Sequence, residues 1–217
     1  SIFLLNFIKI SLAFTIHCKY STNGQWWVVN DFYYCTVSNK LGIETPDNAT
    51  ITSVVGEHTS ESFSLDDVGG FEAENADIRY FPKGLEKIFG NLVMIDINYG
   101  PLKEIHQSDL QPFPKLKCLE LYQNEIEVLE EGLFKFNTEL EMIWLSSNRI
   151  FHIDPEVFDG LGQLSYLSLD TNDCISGYAT NDTQEVRELI TNATKNCVDT
   201  KIYMSKMLAK IDHLEVK

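Results

Sequence analysis

From Leu92 to Cys174 the chain repeats one arrangement of apolar positions every 24 residues. Leu92, Ile95, Ile97 and Leu102 are followed by Leu116, Leu119, Leu121 and Ile126, then by Leu140, Ile143, Leu145 and Ile150, then by Leu164, Leu167 and Leu169. Asn124, Asn148 and Asn172 hold the same place in three of the copies, which completes the pattern L-x-x-L-x-L-x-x-N-x-L. A second apolar set lies between the copies: Ile105, Leu129 and Ile153, each followed five residues on by Leu110, Phe134 and Phe158. Each unit therefore predicts a short strand and an apolar back wall. Side chains alternate along a strand, so the fourth and sixth positions point inward and the third, fifth and seventh point out. The asparagine amide carries both donor and acceptor groups and can satisfy backbone freed where the chain leaves the strand. No unit can bury its apolar face alone, so the units must stack.

This is the leucine-rich-repeat signature. It predicts an α/β solenoid of about five repeats over residues 68–173, with a β N-terminal cap over 14–67 and a helical C-terminal cap over 174–198. Val68, Phe71, Ala73 and Ile78 make a degenerate first repeat backed by Phe81, Leu85, Ile88 and Phe89; Ala76 and Gly100 replace the asparagine in the first two copies. In the N-terminal cap, Thr15 to Tyr20, Gln25 to Val29 and Phe32 to Val37 read as strands, and Asn23-Gly24 as a hairpin turn. Trp26 and Trp27 are expected to pack within it. Residues 38–48 read as a loop, Thr50 to Val55 as a strand, and Gly56 to Asp67 as irregular. Past Cys174, Asp182 with Glu185 three residues on marks a helix start, and Val186, Leu189 and Ile190 continue at helical spacing over the last repeat. In residues 199–217, Met204, Met207, Ile211 and Leu214 step at heptad spacing. Two heptads fit a packed terminal helix as well as the start of a coiled coil.

The first 13 residues form an interrupted apolar run ending in Ser11-Leu12-Ala13, the pattern of a secretory signal peptide. No other apolar run is long enough to cross a membrane. Acceptor sequons at Asn48, Asn181 and Asn192 fit an extracellular surface, and all three lie outside the repeats. Five cysteines leave one over when paired. Cys18 with Cys35 would close the start of the array and Cys174 with Cys197 its end, as expected where terminal apolar faces need cover in an oxidising compartment. Cys118, the free thiol, is either a partly buried inert group or an intermolecular bridge or reactive thiol. The spacings fit no zinc ligand pattern.

The outward strand positions form the concave sheet on which such solenoids bind. The third-position column reads Gly70, Met94, Cys118, Met142, Tyr166; the fifth, Glu72, Asp96, Glu120, Trp144, Ser168; the seventh, Glu74, Asn98, Tyr122, Ser146, Asp170; the eighth, Asn75, Tyr99, Gln123, Ser147, Thr171. Acidic side chains gather toward the first repeats, and Met142, Trp144 and Tyr166 form an apolar patch toward the last. The expected ligand-binding residues are Glu72, Glu74, Asp96, Tyr99, Glu120, Tyr122, Met142, Trp144, Tyr166 and Asp170. Aromatic groups flanked by charge are what interface centres look like. A protein ligand with a basic surface is the expected partner. With 17 basic and 32 acidic residues, the net charge of −15 disfavours nucleic acid and anionic membranes. The five histidines are scattered, and no metal spacing, nucleophile elbow or phosphate loop is present, so neither an enzyme nor a cofactor or metal is expected.

Beyond the generic repeat, Tyr80-Phe81-Pro82-Lys83-Gly84-Leu85, Pro112-Phe113-Pro114, Gly132-Leu133-Phe134, Asn148-Arg149-Ile150, Val157-Phe158-Asp159-Gly160-Leu161 and Asn172-Asp173-Cys174-Ile175 resemble the secreted leucine-rich-repeat proteins of dipteran insects. The resemblance covers about Cys18 to Cys197. It implies a right-handed curved solenoid, a secreted glycoprotein, and recognition of protein or microbial surfaces. The cysteine caps followed by a possible coil also resemble the mosquito leucine-rich-repeat immune proteins, which pair through C-terminal cysteines and coils; this tail is shorter and lacks its own cysteine. An ectodomain of a receptor or adhesion protein, and a structural dimer joined by disulfide or coil, are the other readings.

Overall fold

The computed structural model describes residues 14–22, 32–46, 49–180, 182–198, 203–205 and 208. The expected signal peptide, the Asn23-Gly24 turn, Trp26, Trp27, the sequon asparagines Asn48 and Asn181, and most of the tail lie outside the described residues.

The described strands are β1 (Phe14–Ser21), β2 (Tyr33–Val37), β3 (Gly42–Ile43), β4 (Ile51–Val55), β5 (Val68–Glu72), β6 (Asp77–Ile78), β7 (Met94–Asp96), β8 (Cys118–Glu120), β9 (Val128–Leu129), β10 (Met142–Trp144), β11 (His152–Ile153), β12 (Tyr166–Ser168) and β13 (Tyr178–Thr180). The helices are α1 (Leu85–Ile88), α2 (Gln107–Leu110) and α3 (Thr183–Asn196). One nine-stranded sheet runs β13-β12-β10-β8-β7-β5-β2-β1-β4. Its centre is parallel, and the pairing follows the 24-residue interval: Gly70 meets Met94, Met94 meets Cys118, Cys118 meets Met142, and Met142 meets Tyr166. The repeat spacing thus becomes spatial register.

Behind this sheet the inward leucines and isoleucines, the back-wall set and the aromatic rings Phe71, Phe89, Phe134 and Phe158 form one continuous core. The Asn124 amide donates to Ile97 O at 2.7 Å and accepts from Leu102 N at 3.1 Å. Asn148 donates to Leu121 O at 2.8 Å and accepts from Ile126 N at 3.0 Å, and Asn172 repeats the geometry on Leu145 and Ile150. Each asparagine ties its repeat to the one before. The side chains that read as an outward eighth column are where the chain bends: Asn75, Tyr99, Gln123, Ser147 and Thr171 all have φ between 53° and 57°. That left-handed turn is uncommon for residues other than glycine, and it recurs here in every unit.

The disulfides pair Cys18 with Cys35 and Cys174 with Cys197, as expected from their placement. At one end β1 lies antiparallel to β2 and parallel to β4. At the other, β13 turns back antiparallel against β12, a strand with no sequence signal beyond its two flanking residues Gly177 and Asn181. Helix α3 packs on β12 and β13; Asp182 caps it by accepting from Gln184 N at 2.7 Å, and Val186 and Ala193 are its buried residues. Asn192 is exposed on this helix.

Candidate functional site

Strand pairing places the fifth-position residues side by side across the concave sheet. The row runs Thr36, Glu72, Asp96, Glu120, Trp144, Ser168 and, through the antiparallel strand, Tyr178. Neighbouring strands lie about 4.8 Å apart, so Glu72, Asp96 and Glu120 form a line of three carboxyl groups. The Thr36 hydroxyl donates to Glu72 Oε2 at 2.8 Å. The Glu120 carboxylate accepts from the Asn98 amide at 3.4 Å and from the Cys118 thiol at 3.6 Å. Among the described residues no side chain hydrogen-bonds to either oxygen of Asp96, and the Asn98 backbone favours its charged form.

Sequence alternation predicts that these groups face out, and they do; solvent, however, does not reach all of them. Asp96 is 0% and Glu120 2% exposed, whereas Glu72 is half-buried and Glu74 exposed. Burial first, and then the carboxylates of Glu120, Glu72 and Glu74, push Asp96 up to about 9. Burial raises Glu120 to about 7, and burial together with Glu72 raises Glu74 above the usual carboxylate range. The central members of the acidic row are dry, and burial holds a carboxyl group's proton to higher pH.

The third-position column departs further from an open surface. Met94, Cys118 and Met142 are fully buried and form a cluster of their own on the concave side, with Phe32, Trp144 and Tyr166 packed against it. Met142 is therefore part of the floor beneath the aromatic rings rather than a contact surface. Gly70 continues the column at the N-terminal end, where a Cβ would come within 2.2 Å of the Phe32 ring and 2.8 Å of Tyr34 Cβ. The missing side chain is what admits that ring. Cys118 has no exposure, and burial with the neighbouring Glu120 raises its thiol pKa, so the free cysteine is an inert interior group and not an intermolecular bridge.

Beside the acidic row runs a ladder of aromatic rings. Tyr99 and Tyr122 meet edge to face with centroids 5.2 Å apart, Tyr122 and Trp144 lie 5.4 Å apart, and Trp144 and Tyr166 6.0 Å apart. Tyr99 is 44% exposed, and Tyr122, Trp144 and Tyr166 are half-buried. The ladder crosses from the eighth position of one repeat to the third position of another, so no single column of the sequence displays it. Tyr178, 68% exposed on β13, extends the face at its far end; sequence reasoning missed it because its strand reverses and lies outside the repeat phase. Asp170 stands apart from the acidic row, accepting from the Ser176 hydroxyl in the last turn. Among the described residues no group of three histidine, cysteine, aspartate or glutamate side chains is arranged to hold a metal ion. No described helix is long and apolar enough to cross a membrane.

Comparison with known proteins agrees with the register. Residues 90–150 and 114–174 match the family model described as leucine rich repeat. Toll-like receptor 10 of Bos taurus is 35% identical over 92 residues, which is 42% of this chain and 11% of the receptor. The chain thus spans a small part of that relative's length. Among solved structures, a Toll and Spätzle complex described as a molecular hub in Drosophila development and innate immunity aligns at 20% identity and a TM-score of 0.46, covering 58% of this chain and 18% of the other. An APL1 leucine-rich repeat domain aligns at 17% identity and a TM-score of 0.46, covering 73% of this chain and 43% of the other.

Proposed function

Because residues 90–174 are leucine-rich repeats in both sequence and strand register, we propose that the chain is an extracellular recognition module that binds a protein ligand on its concave face. The observation that carries this reading is the four-ring ladder of Tyr99, Tyr122, Trp144 and Tyr166 beside the carboxyl groups of Glu72, Glu74, Asp96 and Glu120. Large rings flanked by charge bury much area at low entropic cost, and acidic neighbours select a basic surface on the partner. Two disulfides suit an oxidising, extracellular setting. A role in immunity belongs to the same proposal.

A second reading is favoured by the 35% identity to a receptor: the chain is a portion of a receptor or adhesion ectodomain. Both readings use the same face. The test is site-specific photo-crosslinking in the extracellular fluid of the source, with p-benzoylphenylalanine in place of Trp144 or, as a control on the exposed back wall, Lys135. A discrete adduct from position 144 and none from 135 is the expected result. Equal labelling from both positions would count against the concave face.

A further inference from the structure

The acceptor sequon Asn192-Ala193-Thr194 lies wholly within the described residues, and it lies inside a helix, since α3 runs Thr183–Asn196. Val186 and Ala193 set the buried side of α3, with Leu189 and Ile190 packed against the core. Asn192 is turned to solvent. It belongs to none of the concave columns, so recognition on that face makes no use of it.

The helix that exposes the asparagine also takes the sequon apart. Transfer of a sugar to Asn-x-Thr needs the amide and the hydroxyl two residues on in one catalytic pocket. Extended backbone puts residues i and i+2 on the same side; a helix of 3.6 residues per turn points them about 200° apart. Thr194 Oγ1 already donates to Ile190 O at 2.9 Å, and the Ala193 carbonyl accepts from Cys197 N at 2.9 Å. Cys197 has no exposure, is bonded to Cys174, and its own carbonyl accepts from Ile153 N at 3.1 Å. The last turn of α3 is held to the repeats through the disulfide residue, and the sequon is held with it.

We propose that Asn192 carries an N-linked glycan, and that the sugar is attached before α3 folds and the Cys174 to Cys197 disulfide closes. This rests on the extracellular reading given above, since the transfer takes place in the oxidising lumen through which secreted chains pass. The donor is a lipid-linked oligosaccharyl diphosphate. Asn192 Nδ2 bonds to the anomeric carbon, that carbon's bond to the diphosphate oxygen breaks, the lipid diphosphate leaves with the electron pair, and one amide proton passes to a base of the transferase. Nothing is oxidised or reduced. In the folded protein the glycan stands outward from the exposed side of α3, adding to the polar outer face that the end of a solenoid requires.

Two measurements test it. The full chain is sent through the secretory pathway of cultured animal cells behind a cleavable leader, treated with peptide N-glycosidase in heavy-oxygen water and mapped by mass spectrometry; Asn192 is expected as labelled aspartate in most copies. The full chain refolded from bacteria, sugar-free and with both disulfides closed, is then offered to purified oligosaccharyltransferase with the lipid-linked donor. Transfer to Asn192 should be at least tenfold faster after reduction and carboxymethylation, which keeps Cys197 from returning to its buried position, than in the native chain. Thr194→Ala should accept no sugar at Asn192 in either state. A bare Asn192 in the secreted protein would overturn the site, and equal rates from native and carboxymethylated chains would overturn the order. Glycan at Asn192 without a photo-adduct from position 144 would keep this inference and reject concave-face recognition; the reverse outcome would reject this inference alone.

Discussion

Asp96 on β7 and Glu120 on β8 stand directly opposite each other across two parallel strands, both shielded from water. Two ionised carboxylates cannot share so dry a space, so Asp96 keeps its proton up to about 9 while Glu120 gives its own up at about 7. Asp96 is raised from the usual aspartate range to about 9, so between pH 4 and 9 the folded chain binds a proton that the unfolded chain has lost. Stability falls as pH rises through that window. In Asp96→Asn, which stays polar but cannot ionise, this proton-linked loss disappears and the slope should flatten by about 1–4 kcal/mol between pH 5 and pH 8, at about 1.4 kcal/mol per unit. Urea midpoints of both proteins at pH 5 and pH 8 measure it; parallel pH profiles would contradict the assignment.

His106 behaves with the opposite sign. Its ring lies 3.6 Å from Glu104 and 3.5 Å from Glu130, and the hydrogen bond with Glu104, followed by the charges of Glu104, Glu130 and Asp109, raises it to about 9 against the pull of burial. The stabilisation is complete below pH 6.5 and fades as pH rises through 9. The side chain is 44% exposed, so screening limits the effect to about 1 kcal/mol or less. Imidazole titration by NMR should give a midpoint well above that of a free histidine, moving down in Glu104→Gln.

Removing an asparagine from the ladder leaves two backbone groups without partners. In Asn148→Ala the Ile126 amide and the Leu121 carbonyl both lose theirs inside the core. A cost of about 2–4 kcal/mol is expected, at 1–3 kcal/mol per orphaned buried group with partial relief by water. Thermal unfolding monitored by circular dichroism reads the loss directly; a shift in midpoint of a degree or less would mean the ladder is dispensable.

Thr171 sits in the left-handed turn with φ 56°, where a β-branched side chain is strained, and it is exposed. Thr171→Gly should therefore stabilise the fold by about 0.5–1 kcal/mol, since relief of the backbone strain exceeds the entropy glycine costs. The same exchange at Asn75, a residue that tolerates this region, should change little. Paired chemical denaturation curves decide between them.

The architecture was legible because repetition converts sequence spacing into register: Leu119 over Ile143 over Leu167 follows from the 24-residue interval alone. Asn124, Asn148 and Asn172 announced their own bonds for the same reason, and Cys18, Cys35, Cys174 and Cys197 were placed by lying outside the array. What alternation cannot convey is depth. It says that Asp96, Glu120 and Met142 face the concave side, and they do, but Phe32, Trp144 and Tyr166 cover that side's floor. The aromatic ladder escaped a column-by-column reading because Tyr99 and Tyr166 occupy different repeat positions and meet only through Tyr122 and Trp144. The strand at Tyr178 was hidden because it runs against the phase that revealed the others.

The Cys118 thiol, sealed in the third-position column, gives the sheet a clock. An alkylating reagent in solution cannot touch the sulfur while β8 rests between β7 and β10. Every modification event records a moment when those strands parted, and its rate under native conditions counts how often they do so. A ligand that braces the concave face will slow the clock, which makes a single intrinsic atom a gauge of occupancy with no added label.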